Sequence, residues 1–422
     1  LHSTCITMST FLILIAVDLL LMGWMAQSIE PWKEVSVNFD CEFNGKPICC
    51  SLLHSHPTHT WHKSTNSAHS ESRHHRGPCR VSRQYKPSAY EDRHRSLVER
   101  IDAMREKEEW ERYLAIRKIV YEEYDESIEV MKVVKKHMSA PERGNSSDLA
   151  SAESEYLSRF IVRRSCGGGV NHTWVEYIEP LSFFARDVRG YIAAAEIKRD
   201  PGIVFSSDGK IPSYLEWLDT YVLSREYVLL QDSGALAFSR SHTGSTGRHF
   251  LFDAGSSSFD TSLAWMLCGY QQRGISFDKA MAWEMKAVNG TRYWSDVPAN
   301  LISLLHFYNT PISANYSETH SVLRQIDEVA EEGDFVAFKL DVDMSSVEQP
   351  IAMEILRNPK YHRKIDEFFF ELHFHCEVLG PCCWDRAVIP PREIDGFTLD
   401  RLHAFNFFQE LRYAGIRAHF WP

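Results

Sequence analysis

The chain has 422 residues, with 46 Lys and Arg against 57 Asp and Glu, so its formal net charge is −11. This acidic balance argues against a basic nucleic-acid-binding surface over the whole protein, and we expect no nucleic-acid partner. Hydrophobic residues make up 44% and charged residues 24% of the chain. These values exclude a multispanning membrane protein, a collagen and a fully disordered chain. The length suits one large domain with appended segments.

The first segment, residues 1–26, contains an apolar run from Phe11 to Ala26. The run is shorter than the roughly 20 residues of a membrane-spanning helix. Its length is typical of a signal peptide, although no Lys or Arg precedes it, and a buried helix is the alternative. We expect a signal peptide or membrane anchor, and hence a secreted protein or a Golgi or ER membrane protein with a lumenal domain. Four sites match the N-glycosylation acceptor pattern and favour the same compartment: Asn145, Asn171, Asn289 and Asn315.

Two segments of unusual composition precede the globular part. Residues 27–90 include a tract rich in His, Ser, Pro and Arg with few aliphatic residues, which predicts disorder. In residues 91–137 charges of both signs alternate with apolar residues, and no Gly or Pro interrupts them. This pattern predicts a long solvated helix, which we interpret as a stem, with an ordinary amphipathic helix as the alternative. An apolar stripe along it would allow self-association or docking on the globular domain: Trp110, Leu114, Tyr121, Tyr124, Ile128 and Met131.

A strand, a turn of small residues and a helix follow one another from His249. The stretch His249 to Asp260 reads HFLFDAGSSSFD, and an apolar-faced helix follows it. At such a turn, free backbone N–H groups can face a ligand and small side chains let it approach. A second strand, Lys279 to Trp283, ends at Glu284, roughly 30 residues after Gly255. A carboxylate in that place can accept hydrogen bonds from both hydroxyls of a ribose.

Alternating strands and helices continue to the end of the chain. This alternation predicts a Rossmann-like α/β domain, with a mostly parallel sheet and flanking helices, over residues 155–422 and a cofactor core at 249–422. Ligands of such sheets bind beyond the carboxyl ends of the strands, where we expect several acids and a histidine to converge. The further predicted elements are strands Leu301–His306, Phe335–Leu340 and Ile365–Leu372 and helices Ser321–Glu332 and Leu399–Tyr413.

Four short motifs in this core resemble the class I S-adenosylmethionine-dependent methyltransferases of the FkbM type. They are FDAGSSS, AWE, KLDVD and FFFELHF, and the resemblance covers about His249 to Trp421. It implies that S-adenosylmethionine is the cofactor, that Glu284 binds its ribose and that Asp341 lies beside the sulfonium and the methyl acceptor. The implied cofactor-binding residues are Asp253, Ala254, Gly255, Ser256, Ser257, Glu284 and Asp341, and the implied catalytic residues are Asp341, Asp343 and His373.

The expected activity is methyl transfer to a hydroxyl of a sugar or a small metabolite. Holding both reactants in line supplies most of the catalysis in such a reaction. The hydroxyl must also lose its proton to a group within hydrogen-bond reach. Asp341 is the first candidate for the group that takes up this proton, and His373 is the second. Because a fold does not determine a function, the class of the methyl acceptor rests on the resemblance alone.

Other interpretations of the same residues remain open. Asp253 and Glu284 could cap the helices after their strands, and Asp341 and Asp343 could be a solvated strand end. His373 could join His375 and Asp341 in a metal site, but we expect no metal. A noncatalytic module is the first alternative function, because three residues depart from the family pattern. A nicotinamide-dependent oxidoreductase is the second, although the loop lacks GxGxxG spacing. The departures are Ser257, Phe259 and Met344.

Overall fold

A computed structural model describes only part of the chain. The chain divides into two compact units, Leu1–Leu52 and Leu53–Pro422. The first unit contains one antiparallel pair of two-residue strands, and all other described elements belong to the second. The predicted signal or anchor segment, residues 1–26, lies outside the described residues. The described ranges are 42–43, 46–47, 80–103, 126–127, 129–138, 155–165, 171–182, 225–230, 247–372, 393–394, 397–398 and 401–421.

The described strands and helices alternate through the carboxyl-terminal half, as predicted. The strands are β1 (Glu42–Phe43), β2 (Lys46–Pro47), β3 (Arg80–Lys86), β4 (Ser158–Ser165), β5 (Asn171–Ile178), β6 (His249–Ala254), β7 (Lys279–Trp283), β8 (Leu305–Tyr308), β9 (Phe335–Leu340), β10 (Glu367–Phe370), β11 (Glu393–Ile394), β12 (Phe397–Thr398) and β13 (Arg417–Phe420). The helices are α1 (Ala89–Asp102), α2 (Ser262–Gln272), α3 (Gly290–Ser295), α4 (Val322–Val329), α5 (Ser345–Arg357), α6 (Pro359–His362) and α7 (Arg401–Tyr413).

A six-stranded sheet forms the centre of the second unit. Its order is β13-β10-β9-β6-β7-β8, and every neighbouring pair in it is parallel. The predicted α/β architecture, a parallel sheet with flanking helices, is confirmed. The chain runs outward from β6 to β8 on one side and from β9 to β13 on the other. The strand order therefore reverses between β6 and β9, which is where such sheets bind ligands.

Both faces of this sheet are buried, as expected of parallel strands joined by helices. On one face, residues such as Phe252, Phe338 and Phe370 pack with apolar residues of α4, α5 and α7. On the other face, residues such as Leu251 and Phe369 pack with α2, α3, α1 and the helical residues 129–138. Alternation along each strand sends successive side chains to opposite faces. The core of the unit is therefore two apolar layers separated by one sheet.

The globular part begins earlier than the sequence suggested. Residues 80–90 were predicted to be the end of a disordered tract, and this part of the prediction is wrong. Strand β3 pairs antiparallel with β4, and β4 pairs with β5, in a three-stranded sheet. The side chains of Tyr85 and Tyr90 are 2% and 1% exposed. These residues are ordered because β3 pairs with β4. The composition of a tract does not show whether a strand distant in sequence pairs with it.

The predicted single helix over residues 91–137 is also corrected. Helix α1 ends at Asp102, and the hydroxyls of Tyr90 and Ser127 lie 3.0 Å apart. Arg93 also forms an ion pair of 2.6 Å with Glu126. A straight helix would separate Tyr90 and Ser127 by about 55 Å at 1.5 Å per residue. The contact between Tyr90 and Ser127 does not fit one straight helix over residues 91–137. Among the described residues, no helix is both long and apolar enough to cross a membrane.

Seven buried polar side chains connect the small sheet and α1 to the large sheet, and we call them the buried ionic cluster. Arg412 of α7 donates from Nη2 to Glu179 Oε1 at 2.7 Å and lies 3.6 Å from Glu91. His419 Nδ1 lies 2.8 Å from the same Glu179 oxygen. Charges out of water are tolerated only when they are paired and hydrogen-bonded. The members are Tyr85, Glu91, Glu179, Glu367, Arg412, Arg417 and His419.

Two carboxylates of the cluster have lowered pKa values. Burial alone raises the pKa of Glu179, but the neighbouring His419 and Arg412 outweigh it and hold the pKa below the usual 4.5. Burial likewise opposes ionisation of Glu367, and His419 and Arg417 again bring its pKa below the usual value. Both groups therefore favour the folded state in their charged form.

We predict that the unit loses stability in acid through this cluster. Because the folded pKa values are lowered, the stabilisation is complete above about pH 4.5 and is lost as the pH falls through the folded pKa values. Urea unfolding at several pH values between about 7 and 3 measures this loss. The variant Glu179→Gln is expected to be less stable at neutral pH and to show a flatter pH profile. Glu328→Gln, on an exposed helix surface, should keep the wild-type profile. An undiminished acid loss in Glu179→Gln would contradict the assignment.

Candidate functional site at the carboxyl edge of the sheet

Acidic residues from three strands meet at one edge of the sheet. Asp253 lies near the carboxyl end of β6, Glu284 directly follows β7, and Asp341 directly follows β9. The strands are parallel, so these ends point the same way. The predicted convergence of these three residues is therefore present. His373, predicted to join them, lies outside the described residues, as does His375.

Lys339 holds two of these carboxylates together. Its ammonium lies 3.1 Å from Asp253 Oδ1 and 2.9 Å from Asp341 Oδ2. Lys339 and Asp253 are direct partners in the β6–β9 register, so their side chains leave the same face of the sheet. Lys339 is 1% exposed and Asp253 is fully buried, whereas the side chain of Asp341 is 24% exposed. The ion triad thus runs from the interior to the surface.

Two carboxylates favour the charged form of the Lys339 ammonium. Burial by itself lowers the pKa of Lys339, but the Asp253 and Asp341 carboxylates outweigh it and raise the pKa above its ordinary value. The same burial means that Asp253 offers no surface to a ligand. In the structure Asp253 supports Lys339, and its predicted cofactor contact stays a prediction. Its other oxygen accepts from the Ser262 hydroxyl at 3.2 Å.

Gly255 lets the loop after β6 pass close to the start of the loop after β9. Its φ is +94°, a left-handed conformation that favours glycine. A Cβ at this position would lie 1.5 Å from the carbonyl oxygen of Asp341. Since no side chain fits there, the backbone itself forms the floor of the site. The glycine in the motif is thus required by packing between two loops.

The amides of this loop are used differently from the prediction. The N–H groups of Gly255 and Ser256 both donate to the carbonyl oxygen of Trp283, at 2.9 and 2.8 Å. They are therefore not the free donors that the sequence suggested. Ala254 and Ser256 are buried, Gly255 is partly exposed and Ser257 is exposed. Of these four predicted loop residues, Gly255 and Ser257 therefore have surface for a ligand, and the cofactor contacts stay a prediction.

Glu284 lies at the edge of the site with a fixed backbone. Its N–H donates to the Tyr308 carbonyl, and its own carbonyl accepts from the Asn309 amide at 2.7 Å. One carboxylate oxygen accepts from the Lys286 N–H at 2.6 Å. The side chain is 8% exposed. This is the arrangement expected of a carboxylate that is held in place for a ligand at the end of β7.

Tyr293 was not identified from the sequence. It extends from α3 towards the loop after β6, where its hydroxyl lies 3.2 Å from that of Ser256. Burial raises the pKa of Tyr293, and the Asp253 and Glu284 carboxylates raise it further. The residue is therefore a neutral donor or acceptor under the site. Its ring stacks on Phe307 with centroids 3.8 Å apart.

Three acids lie close together where β9 and β10 end. One oxygen each of Asp341, Asp343 and Glu371 lies within 4.8 Å of the others. Asp343 has a φ of +55°, a conformation that few residues other than glycine adopt. The buried Glu348 accepts from the Val342 N–H at 2.8 Å and so fixes this turn. Together with Glu284, the group gives the edge of the site a negative potential.

Trp421 is the second residue that the sequence did not indicate. It follows the last strand, and its indole Nε1 donates to Asp341 Oδ2 at 3.1 Å. Its ring packs edge-on against Trp265 and Phe369. A sequence signal existed, since a tryptophan after a buried strand must find a partner for its N–H. The partner itself depends on the strand order, which puts β13 next to β10.

Comparisons with protein-family models, with curated proteins and with solved structures give no match to this chain.

We predict that Gly255→Ala strongly destabilises the protein. The left-handed backbone alone costs about 1–2 kcal/mol with a side chain, and the clash with the Asp341 carbonyl adds to that. Gly290→Ala is the matched control, because a Cβ at that position meets no atom within 4 Å. Urea unfolding of both variants measures the difference. Equal stability of the two variants would show that the loop does not pack as described.

Proposed function

We propose that this protein is an S-adenosylmethionine-dependent O-methyltransferase that acts on a hydroxyl of a sugar or a small metabolite. The observation that carries the proposal is the meeting of Asp253, Glu284 and Asp341 at the point where the strand order reverses. Rossmann-like sheets bind nucleotide ligands there. The motif resemblance adds the cofactor class and the acceptor class.

The residues at the site fit this cofactor chemically. S-adenosylmethionine carries a sulfonium, an ammonium and a carboxylate group and so has a net positive charge, and the acids of the site attract cations. Asp341, Asp343 and Glu371 carry three formal negative charges, against which Lys339 supplies one positive charge. Glu284 offers a carboxylate to ribose hydroxyls at the end of β7. The acidic groups of the site thus suit a cationic adenosyl ligand better than an anionic dinucleotide.

The protein's own residues would orient the reactants. Glu284 binds the ribose, Gly255 and Ser257 border the ligand, and Asp341 faces the reacting groups. The bound cofactor supplies a methyl group on positively charged sulfur. Asp341 keeps its carboxylate at a fixed position, where it orients the acceptor hydroxyl and takes up its proton. Alignment by these rigid strand ends is the main contribution to rate.

A noncatalytic module is the second candidate. It is favoured by the loop after β6, in which the Gly255 and Ser256 N–H groups are consumed by the Trp283 carbonyl. Phe259, which departs from the family pattern, is 2% exposed and part of the apolar core. Phe259 therefore stabilises the fold and does not line the surface of the site. Such a module would bind no adenosyl ligand.

We predict that the full-length chain binds S-adenosylmethionine in calorimetric titration and that Glu284→Gln weakens the binding. A hydrogen bond to a charged group contributes about 1.5–3 kcal/mol, or roughly 10- to 100-fold in affinity. Gln keeps an acceptor for the Lys286 N–H, so the fold is preserved. Glu328→Gln serves as the control, because it lies on an exposed helix surface.

The outcome distinguishes the three candidate functions. A flat titration with folded protein would overturn the methyltransferase proposal in favour of the noncatalytic module. Thermal stabilisation by a nicotinamide dinucleotide, without stabilisation by S-adenosylmethionine, would instead identify the oxidoreductase.

We also propose that the protein enters the secretory pathway. Two of the four acceptor asparagines, Asn289 and Asn315, are exposed in the structure, as glycan attachment requires. Expression of the full chain in eukaryotic cells should give a band that shifts on glycosidase treatment, and the double variant Asn289→Gln/Asn315→Gln should shift less. A wild-type chain without any shift would contradict this location.

A further inference from the structure

We propose that Trp421 and Lys339 are positioning residues that together fix the Asp341 carboxylate for a positively charged ligand. The inference rests on the proposed function for the identity of that ligand. It goes beyond that function by assigning a role to the last strand of the sheet and to two residues outside the predicted site.

Both donors meet on one oxygen of Asp341. Trp421 Nε1 lies 3.1 Å and Lys339 Nζ 2.9 Å from Asp341 Oδ2. A carboxylate held by two donors from different strands cannot rotate without breaking both contacts. Its second oxygen therefore has a defined direction relative to the sheet edge. Side-chain entropy is lost once, on folding, and not again on binding.

The two donors are themselves rigid. Trp421 is 4% exposed, and its backbone N–H donates to the Phe370 carbonyl at 3.0 Å. Its ring centroid lies 5.7 Å from that of Trp265 and 5.9 Å from that of Phe369. The Lys339 ammonium lies 5.7 Å from the Trp421 ring centroid, within cation–π range. Trp421 thus positions Asp341 directly and Lys339 through its ring.

This arrangement bears on the choice between charged and neutral ligands. If Asp341 faces the sulfonium, a fixed carboxylate contributes to binding of S-adenosylmethionine. It contributes little to binding of S-adenosylhomocysteine, whose sulfur is neutral. Loss of the positioning contact should therefore reduce the preference for the charged ligand. A loss of general structure would weaken both ligands alike.

The test compares Trp421→Phe with Trp265→Phe in the full-length protein. Phe keeps the aromatic packing of Trp421 but removes the Nε1 donor, and Trp265 belongs to the same aromatic contact without donating to Asp341. Calorimetric titration with both ligands gives the affinity ratio. We expect Trp421→Phe to weaken S-adenosylmethionine about 5- to 30-fold, with S-adenosylhomocysteine changed less than about twofold. Trp265→Phe should leave the ratio unchanged.

If Trp421→Phe weakens the binding of both ligands equally, the positioning role is overturned and the proposed function still stands.

If the wild type binds neither ligand, the proposed function fails, and the positioning contact is then tested without ligand. The Trp421 indole resonance in a ¹⁵N-tryptophan-labelled protein should move in Asp341→Asn and stay in place in Asp296→Asn, a substitution elsewhere on the surface. The same measurement decides the case if Trp421→Phe does not fold. An unmoved resonance in Asp341→Asn would overturn the inference.

Discussion

The charge of Lys339 is the constraint on which the arrangement of the site depends. A buried ammonium requires carboxylates beside it, because desolvation is otherwise too costly. Asp253 and Asp341 meet this requirement from the two central strands, at the position where the strand order reverses. Lys339 and Asp253 are buried, and Asp341 reaches the surface. The core of the sheet and the candidate binding edge are therefore joined by a single ion triad.

A second set of buried charges holds the amino-terminal elements in place. Arg412 connects α7 to Glu179 after β5 and to Glu91 in α1. Removal of one partner of such a buried group is expensive, since the remaining charge stays buried. The small sheet and α1 are thus structural parts of the same unit.

Apolar patterns and turn residues were sufficient to predict most of the described strands in the carboxyl-terminal half. Strand Phe335–Leu340 is apolar except for Lys339 and appears with the predicted bounds, as does Lys279–Trp283. Leu301–His306 was less accurate, because a 3₁₀ turn occupies Ala299–Leu301 and the strand begins at Leu305. Short edge strands give weak periodic signals. The predicted single helix over residues 91–137 does not fit the contact between Tyr90 and Ser127, because an alternation of charged and apolar residues does not show where a helix ends.

The sequence by itself determined the kind of sheet and which acids end its strands. Local periodicity carries that information, since each strand and helix follows from neighbouring residues. Only the tertiary structure decided that Asp253 is buried, that the loop amides bind the Trp283 carbonyl, and that Trp421 reaches Asp341. The contacts of the loop amides and of Trp421 join residues between 27 and 80 positions apart, through a strand order that no local pattern encodes. Burial and pairing of charges are properties of the packed chain, and they distinguish residues that support the site from those that face a ligand.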